Sequence, residues 1–216
     1  MIRTAAIALT LGMALAASVP TPGFATSPVP DPIEVPESGE AGVFITQIGS
    51  GNVAEARQAG NRSRAQIVQD GDANRADVDQ RDSGEHHVTL VQSGDENRAD
   101  ILQQGLGRSV LLLAQEGSLN RATIAQQETG DTLSAAAISQ SGSGNTLILA
   151  QDGSDNQARL MQRGENNAMT ATQLGNNNRL VWEQDGTGLS DLQITQDGGA
   201  VMQVTQTNLG APGGGG

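Results

Sequence analysis

The chain contains no cysteine, no lysine and no tyrosine, and its only aromatics are Phe24, Phe44 and Trp182. Without thiols there can be no disulfide framework, no thiolate nucleophile and no thiolate metal site. Cations are also scarce: 12 Arg stand against 24 Asp+Glu, for a formal charge of −12. That balance argues against nucleic acid as a partner, because phosphate binding needs clustered positive charge. With 36% hydrophobic residues and 1% aromatics, an ordinary globular core for 216 residues is a poor fit. Long apolar runs are missing too. Ala5 to Ala17 is the one extended stretch of apolar and small residues, too short to span a bilayer, so no transmembrane segment is expected. What remains is disorder, or small side chains buried in a regular repeat.

The first residues read as an address. Arg3 precedes the apolar stretch, Pro20 and Pro22 follow it, and Gly23-Phe24-Ala25 offers small residues at the −3 and −1 positions. This is the layout of a secretory signal peptide over residues 1–25, with cleavage after Ala25. Residues 26–42 alternate Pro28, Pro30, Pro32 and Pro36 with Asp31, Glu34, Glu37 and Glu40, which predicts an extended, solvated leader. Residues 208–216 read as a Gly-rich tail.

Between leader and tail, glutamine recurs. Gln47, Gln58, Gln69, Gln80, Gln92, Gln103, Gln115, Gln126, Gln140, Gln151, Gln162, Gln173, Gln184, Gln196 and Gln206 are spaced most often by eleven residues. The residues two and four before each are apolar in every case, from Val43 and Ile45 to Met202 and Val204, with Leu192, Ile194 and Trp182 in the series. The intervening positions are mixed and include Glu55, Arg57, Asp77, Asp79 and Glu183. Alternation of this kind predicts a short strand whose buried face reads apolar, apolar, Gln. Glycine stands two residues after Gln in twelve of the fifteen cases. Asparagine stands five after it at Asn52, Asn74, Asn97, Asn120, Asn145, Asn156, Asn167 and Asn178. Both residue types tolerate left-handed backbone, so both are expected to serve the turns. A helix is excluded, since residues two apart do not share a helical face and a Gly in each repeat would weaken it.

Asn follows the odd-numbered glutamines more regularly than the even ones, which makes the true unit strand–turn–strand, about 22 residues long. Such a unit cannot bury its inner face alone and must stack. The expected fold is an all-β solenoid of about seven repeats over residues 43–207, with odd and even strands in two parallel, in-register sheets. Stacked primary amides both donate and accept, so the glutamines should form two uncharged ladders. The rod should be about 35 Å tall with uncapped strand edges at both ends, and end-to-end growth is expected.

At this level the sequence resembles the curlin repeat of curli amyloid fibres, in which Gln is followed by Gly two on, Asn five on, Ala seven on and Gln eleven on. The pattern is carried by Gln69-Asp-Gly-Asp-Ala-Asn74-Arg-Ala76 closing on Gln80, by Gln92 to Ala99 closing on Gln103, and by Gln115 to Ala122 closing on Gln126. The resemblance implies a secreted fibre subunit, major or nucleator-like, exported through the periplasm and a dedicated outer-membrane curli secretion pore. It implies partnership with itself and other curlin-type subunits in a cell-surface fibre used for adhesion and biofilm matrix.

The remaining chemistry-bearing residues read as structural. His86-His87 is expected in a solvated turn, since two adjacent side chains rarely complete a coordination shell. Asp70, Asp72, Asp82, Asp95, Asp152 and Asp155 read as solvated turn charges that slow premature association, because the calcium-binding GGxGxD nonapeptide is missing. Trp182 is expected in the core. With no catalytic constellation, no metal set and no cofactor motif, an enzyme is disfavoured. A non-polymerising adhesin or ligand-binding solenoid is the alternative to a fibre subunit.

Overall fold

The computed structural model describes residues 41–60, 62–130 and 132–208. The export signal (1–25), nearly all of the leader (26–42) and most of the tail (208–216) lie outside the described residues. Among those described the chain is all strand and turn. Odd strands are β1 (Gly42–Ile48), β3 (Arg64–Asp70), β5 (Glu85–Ser93), β7 (Arg108–Ser118), β9 (Leu133–Ser143), β11 (Gln157–Glu165), β13 (Arg179–Thr187) and β15 (Val201–Thr207). Even strands are β2 (Val53–Gln58), β4 (Arg75–Gln80), β6 (Arg98–Gly105), β8 (Arg121–Glu128), β10 (Thr146–Asp152), β12 (Ala168–Leu174) and β14 (Ile194–Asp197). The odd strands make one parallel eight-stranded sheet in sequence order, and the even strands make a parallel seven-stranded sheet. This is a two-sheet β-solenoid.

Register follows the glutamines. Gln47 pairs with Gln69, Gln92 with Gln115, and Gln162 with Gln184, and the even sheet does the same from Gln58–Gln80 to Gln173–Gln196. A one-residue slip would turn every apolar side chain to water, so a buried face pins the pairing strongly. The enclosed core is thin and aliphatic. Ala65, Ile67, Leu90, Ala99, Leu113, Ile124, Leu147, Leu160 and Leu180 are buried in it, and so is Trp182. At the terminal rungs the same face is uncovered: Val43, Ile45 and Met202 stay exposed, with no further strand beyond them among the described residues.

Two local expectations fail. Leu192, read as an inner strand residue, lies ahead of β14 and is 52% exposed. The reason is Asp191, whose carboxylate accepts hydrogen bonds from Thr170 N (2.9 Å), Thr170 Oγ1 (2.5 Å) and Gln193 N (2.9 Å). The side chain thus satisfies a backbone donor that a longer β14 would have met, and Gln193 is left at φ +48°. His86 and His87 are not in a solvated turn either. β5 already runs from Glu85, with His87 paired to Arg64 and Val110, and His86 paired to Ser109 and fully buried.

Candidate functional site: polar ladders and open ends

Each inner glutamine uses its amide in two directions. Along the rod, Gln69 Nε2 donates to Gln92 Oε1 (2.8 Å), Gln92 to Gln115 (2.8 Å), Gln115 to Gln140 (2.8 Å), Gln140 to Gln162 (2.8 Å) and Gln162 to Gln184 (2.9 Å). Gln47 starts this series by donating to Gln69, and Gln206 ends it by accepting from Gln184. The even sheet repeats it from Gln58 through Gln80, Gln103, Gln126, Gln151 and Gln173 to Gln196. Across the rod, the same nitrogens donate to backbone carbonyls of the facing sheet: Gln92 to Arg75 O, Gln115 to Arg98 O, Gln126 to Val110 O and Gln151 to Ala135 O. A primary amide supplies two N–H donors and an acceptor, which is what one ladder bond in each direction and one cross-sheet bond require.

The ladders have a sense. Every amide donates toward the rung that follows in sequence. The β1–β2 end therefore opens the ladders with the Oε1 acceptors of Gln47 and Gln58. The β14–β15 end closes them with the amide nitrogens of Gln206 and of buried Gln196, the latter bonded to Arg179 O (3.0 Å) and Ala200 O (3.1 Å). Trp182 Nε1 adds a second donor to Gln206 Oε1 (3.2 Å), so that oxygen is engaged twice, while the Gln206 nitrogen donates across to Ser190 O (3.1 Å) and has no following glutamine among the described residues.

The asparagines serve the turns through their side chains and not through left-handed backbone: Asn52, Asn120, Asn167 and Asn178 donate Nδ2 to the carbonyl four residues earlier, at Ile48, Glu116, Arg163 and Leu174. None of the eight has positive φ. The left-handed residue is the one before Asn: Gly51, Ala73, Glu96, Leu119, Gly144, Asp155, Asn166 and Asn177. Asn52, Asn74, Asn97, Asn120, Asn145 and Asn167 instead stack in a column along one edge, and all but Asn52 are buried. Asn97 Nδ2 donates to Gly117 O (2.8 Å) and Asn120 Nδ2 to Gly142 O (2.9 Å), each reaching the next rung. In return Asn120 N donates to Asn97 Oδ1 (3.1 Å) and Asn145 N to Asn120 Oδ1 (3.2 Å). Beside them runs a glycine column. A Cβ on Gly117, at φ +101°, would overlap the Gly142 carbonyl oxygen.

The opposite edge carries a second polar column that the forward count from each glutamine missed. Its members are Ser63, His86, Ser109, Ser134, Asn156 and Asn178, all buried. Each lies six residues before the next repeat glutamine, as do all the asparagines of the first column. Counting back from Gln therefore unites the inner face as polar, apolar, apolar, Gln, and the parity of the strand places all four inward. Asn178 N donates to Asn156 Oδ1 (3.1 Å) and Asn156 N to Ser134 Oγ (3.2 Å). His86 Nε2 bonds the Arg81 carbonyl (2.9 Å), while His86 Nδ1 and Ser109 Oγ are buried without a partner. Burial pushes the His86 imidazolium below its ordinary pKa, against opposing hydrogen bonds from the Arg81 and Gly105 backbone. Burial likewise lowers His87, against attraction from Glu85.

Irregular spacing is absorbed on this edge. The fourteen residues from Gln126 to Gln140 hold Glu128, which is buried although it occupies a usual glycine position. Its carboxylate accepts from Ser134 Oγ (2.5 Å) and Gly130 N (3.1 Å), tying the long turn to the column. The turn aspartates are also engaged: Asp72 accepts from Ser50 N (2.7 Å) and Oγ (2.9 Å), Asp95 from Asp72 N (2.9 Å), and Asp82 from Gly105 N (3.0 Å). The Ser50 hydrogen bonds hold Asp72 below its usual pKa. On the outer strand faces, Arg81–Asp79 (2.7 Å), Arg98–Asp100 (2.7 Å) and Arg163–Glu183 (2.6 Å) are ion pairs at the surface, as is Arg57 with Glu55.

Sheet order, register and paired amide ladders define a structural β-solenoid built from one repeated rung. The family model of the curlin associated repeat matches residues 153–186, which take in β11, β12 and nearly all of β13, so this stretch of the solenoid is similar to the curlin associated repeat. Comparisons with curated proteins and with solved structures returned no match.

Proposed function

We propose that this protein is a secreted structural subunit of curli-like amyloid fibres, self-assembling end to end at the cell surface. The repeat and the fold fit a curli-like structural subunit. The observation that carries the further step is the pair of unfinished ends. Acceptors of Gln47 and Gln58 at one end match donors of Gln196 and Gln206 at the other, alongside four strand edges that, among the described residues, are bonded on one side only. Open, in-register edges of this kind are templates for another chain. Export through the periplasm and an outer-membrane secretion pore, with other curlin-type subunits as partners, completes the reading. Adhesion and biofilm matrix are its expected uses. The role is structural, with no reaction assigned to any residue.

The test is incubation of the purified chain lacking residues 1–25, with and without preformed seeds. Dye-binding fibres that shorten the lag when added as seeds, and diffraction near about 4.7 and 10 Å, are expected. A chain that stays monomeric for days at high concentration, seeded or not, refutes the fibre reading and leaves a free-standing solenoid adhesin.

A further inference from the structure

The described rod has fifteen strands, and an odd number has a consequence for stacking. At its far end β15 closes the odd sheet, while the even sheet stops one strand lower, at β14. If the next copy is added by translation alone, its β1 lies on β15 and its β2 stands in the even sheet above an empty strand position. The outer edge of β14 then stays unpaired inside the fibre, and Gln196 has no glutamine above it. Buried backbone donors and acceptors left this way are costly.

Resting on the fibre reading above, we propose that successive copies are related by a half-turn about the rod axis, so that the two sheets exchange roles from one subunit to the next. The added copy's β1 then pairs with β14 and its β2 with β15. Odd and even strands run in opposite directions on opposite faces of a solenoid, so the half-turn brings β1 parallel to β14 without changing hand. Register set by glutamine puts Gln47 on Gln196 and Ile45 on Ile194, then Gln58 on Gln206, Ala56 on Val204 and Ala54 on Met202. These five contacts are each apolar on apolar or amide on amide. The sense of the ladders agrees, because the nitrogens of Gln196 and Gln206, which have no following glutamine to donate to among the described residues, meet the ladder-opening oxygens of Gln47 and Gln58. The Gln196 nitrogen would share its donors with Arg179 O and Ala200 O, as Gln140 shares its own with Arg121 O, Asn145 O and Gln162. A head-to-head join would set acceptor against acceptor. Gapless continuation therefore needs the half-turn, and each copy advances the fibre by fifteen half-rungs, about 36 Å.

Cysteine scanning reads this directly, since the native chain has none. Thr46, Thr195 and Thr205 each precede a repeat glutamine and are exposed on outer strand faces. Under the half-turn, Thr46 of one copy lies beside Thr195 of the next, within the Cα separation a disulfide tolerates. Fibres assembled under reduction from an equal mixture of Thr46→Cys and Thr195→Cys chains, then oxidised, should yield cross-linked dimers, up to about half of the chains if the two mix at random. The mixture of Thr46→Cys with Thr205→Cys should yield few. Cross-linking mainly in the second mixture, or in neither while fibres form, overturns the half-turn and leaves the fibre reading standing. If the cysteine chains fail to assemble, helical reconstruction of wild-type fibres decides: a rotation near a half-turn per subunit supports the proposal, and one near zero refutes it. A wild-type chain that forms no fibres refutes the fibre reading and this inference with it.

Discussion

At the scale of one residue, the repeat glutamine is held by the number of its hydrogens. Gln115 donates to Gln140 and to the Arg98 carbonyl while accepting from Gln92, all in a buried site. Gln115→Glu keeps the acceptor but loses both donors and buries a charge facing the Gln140 oxygen. It should destabilise the rod by about 3–5 kcal/mol, the range for an uncompensated buried charge. Gln115→Met removes the amide without adding charge and should cost about 1–3 kcal/mol. Chemical denaturation of the monomer under non-assembling conditions ranks the two, and equal losses would contradict the two-donor account. A different residue is predicted to be improvable. Leu119 sits at φ +59° with its side chain 58% exposed, where rungs above and below it use Ala73, Glu96 and Gly144. Leu119→Gly relieves a left-handed strain of about 1–2 kcal/mol, partly offset by Gly entropy in the unfolded chain. A net gain of about 0.5–1 kcal/mol, or roughly 1–4 °C in Tm, is expected by thermal melting.

At the scale of the strand, the inner face was largely legible because parity is rigid. Once glutamine and two apolar positions alternate, sheet membership and register follow with no further information. The polar member of the face was obscured for a physical reason: turns vary in length, so a count forward from the preceding Gln drifts across the even turns. Ser63, His86, Ser109 and Ser134 share the column with asparagine because the site asks only for a small or flat polar group beside the next rung. Leu192 was illegible because one carboxylate, Asp191, replaces a strand's worth of pairing at Thr170. His86 also carries a pH consequence. Its surroundings are the Arg81 and Gly105 backbone, Asp82 and His87, and burial dominates them to lower its pKa. The unfolded chain therefore takes up a proton near pH 6.5, while the folded chain waits for a lower pH. Between the two values the unfolded state binds more protons, so the stabilisation present above pH 6.5 is lost as pH falls toward the depressed value. His86→Asn should flatten this slope, leaving the share due to His87, whose pKa burial also lowers. Melting temperatures at about pH 7.5 and about pH 5.5 check it, bracketing the usual histidine range. An unchanged difference between wild type and variant would mean that His86 does not titrate as its burial requires.

At the scale of the molecule, folding and growth place the same demands on each rung, so they are hard to separate by substitution within the rod. The last rung is the exception. Gln206 Oε1 accepts from Gln184 Nε2 and Trp182 Nε1, whereas its own nitrogen donates, among the described residues, only to Ser190 O, at 3.1 Å and near the surface. Gln206→Glu therefore keeps the two bonds its oxygen accepts, gives up only the near-surface bond to Ser190 O, and removes what an incoming copy would use. A carboxylate there cannot donate, and it sets a charge against the carbonyl oxygen of the arriving glutamine. The monomer should melt within about 4 °C of wild type, corresponding to roughly 1 kcal/mol or less. Seeded elongation at neutral pH should fall at least tenfold, since a lost donor and a desolvated charge together exceed about 1.4 kcal/mol. Growth should recover in part below about pH 4, where the side chain is protonated and donates again. The comparison at the other end sharpens the assignment. Gln47→Glu removes a donor to Gln69 inside the rod while keeping the outward acceptor, so it should lower stability more than Gln206→Glu does. Equal elongation by wild type and Gln206→Glu, measured from the same seeds, would show that the amide ladder stops at the edge of the subunit and that backbone pairing alone drives growth.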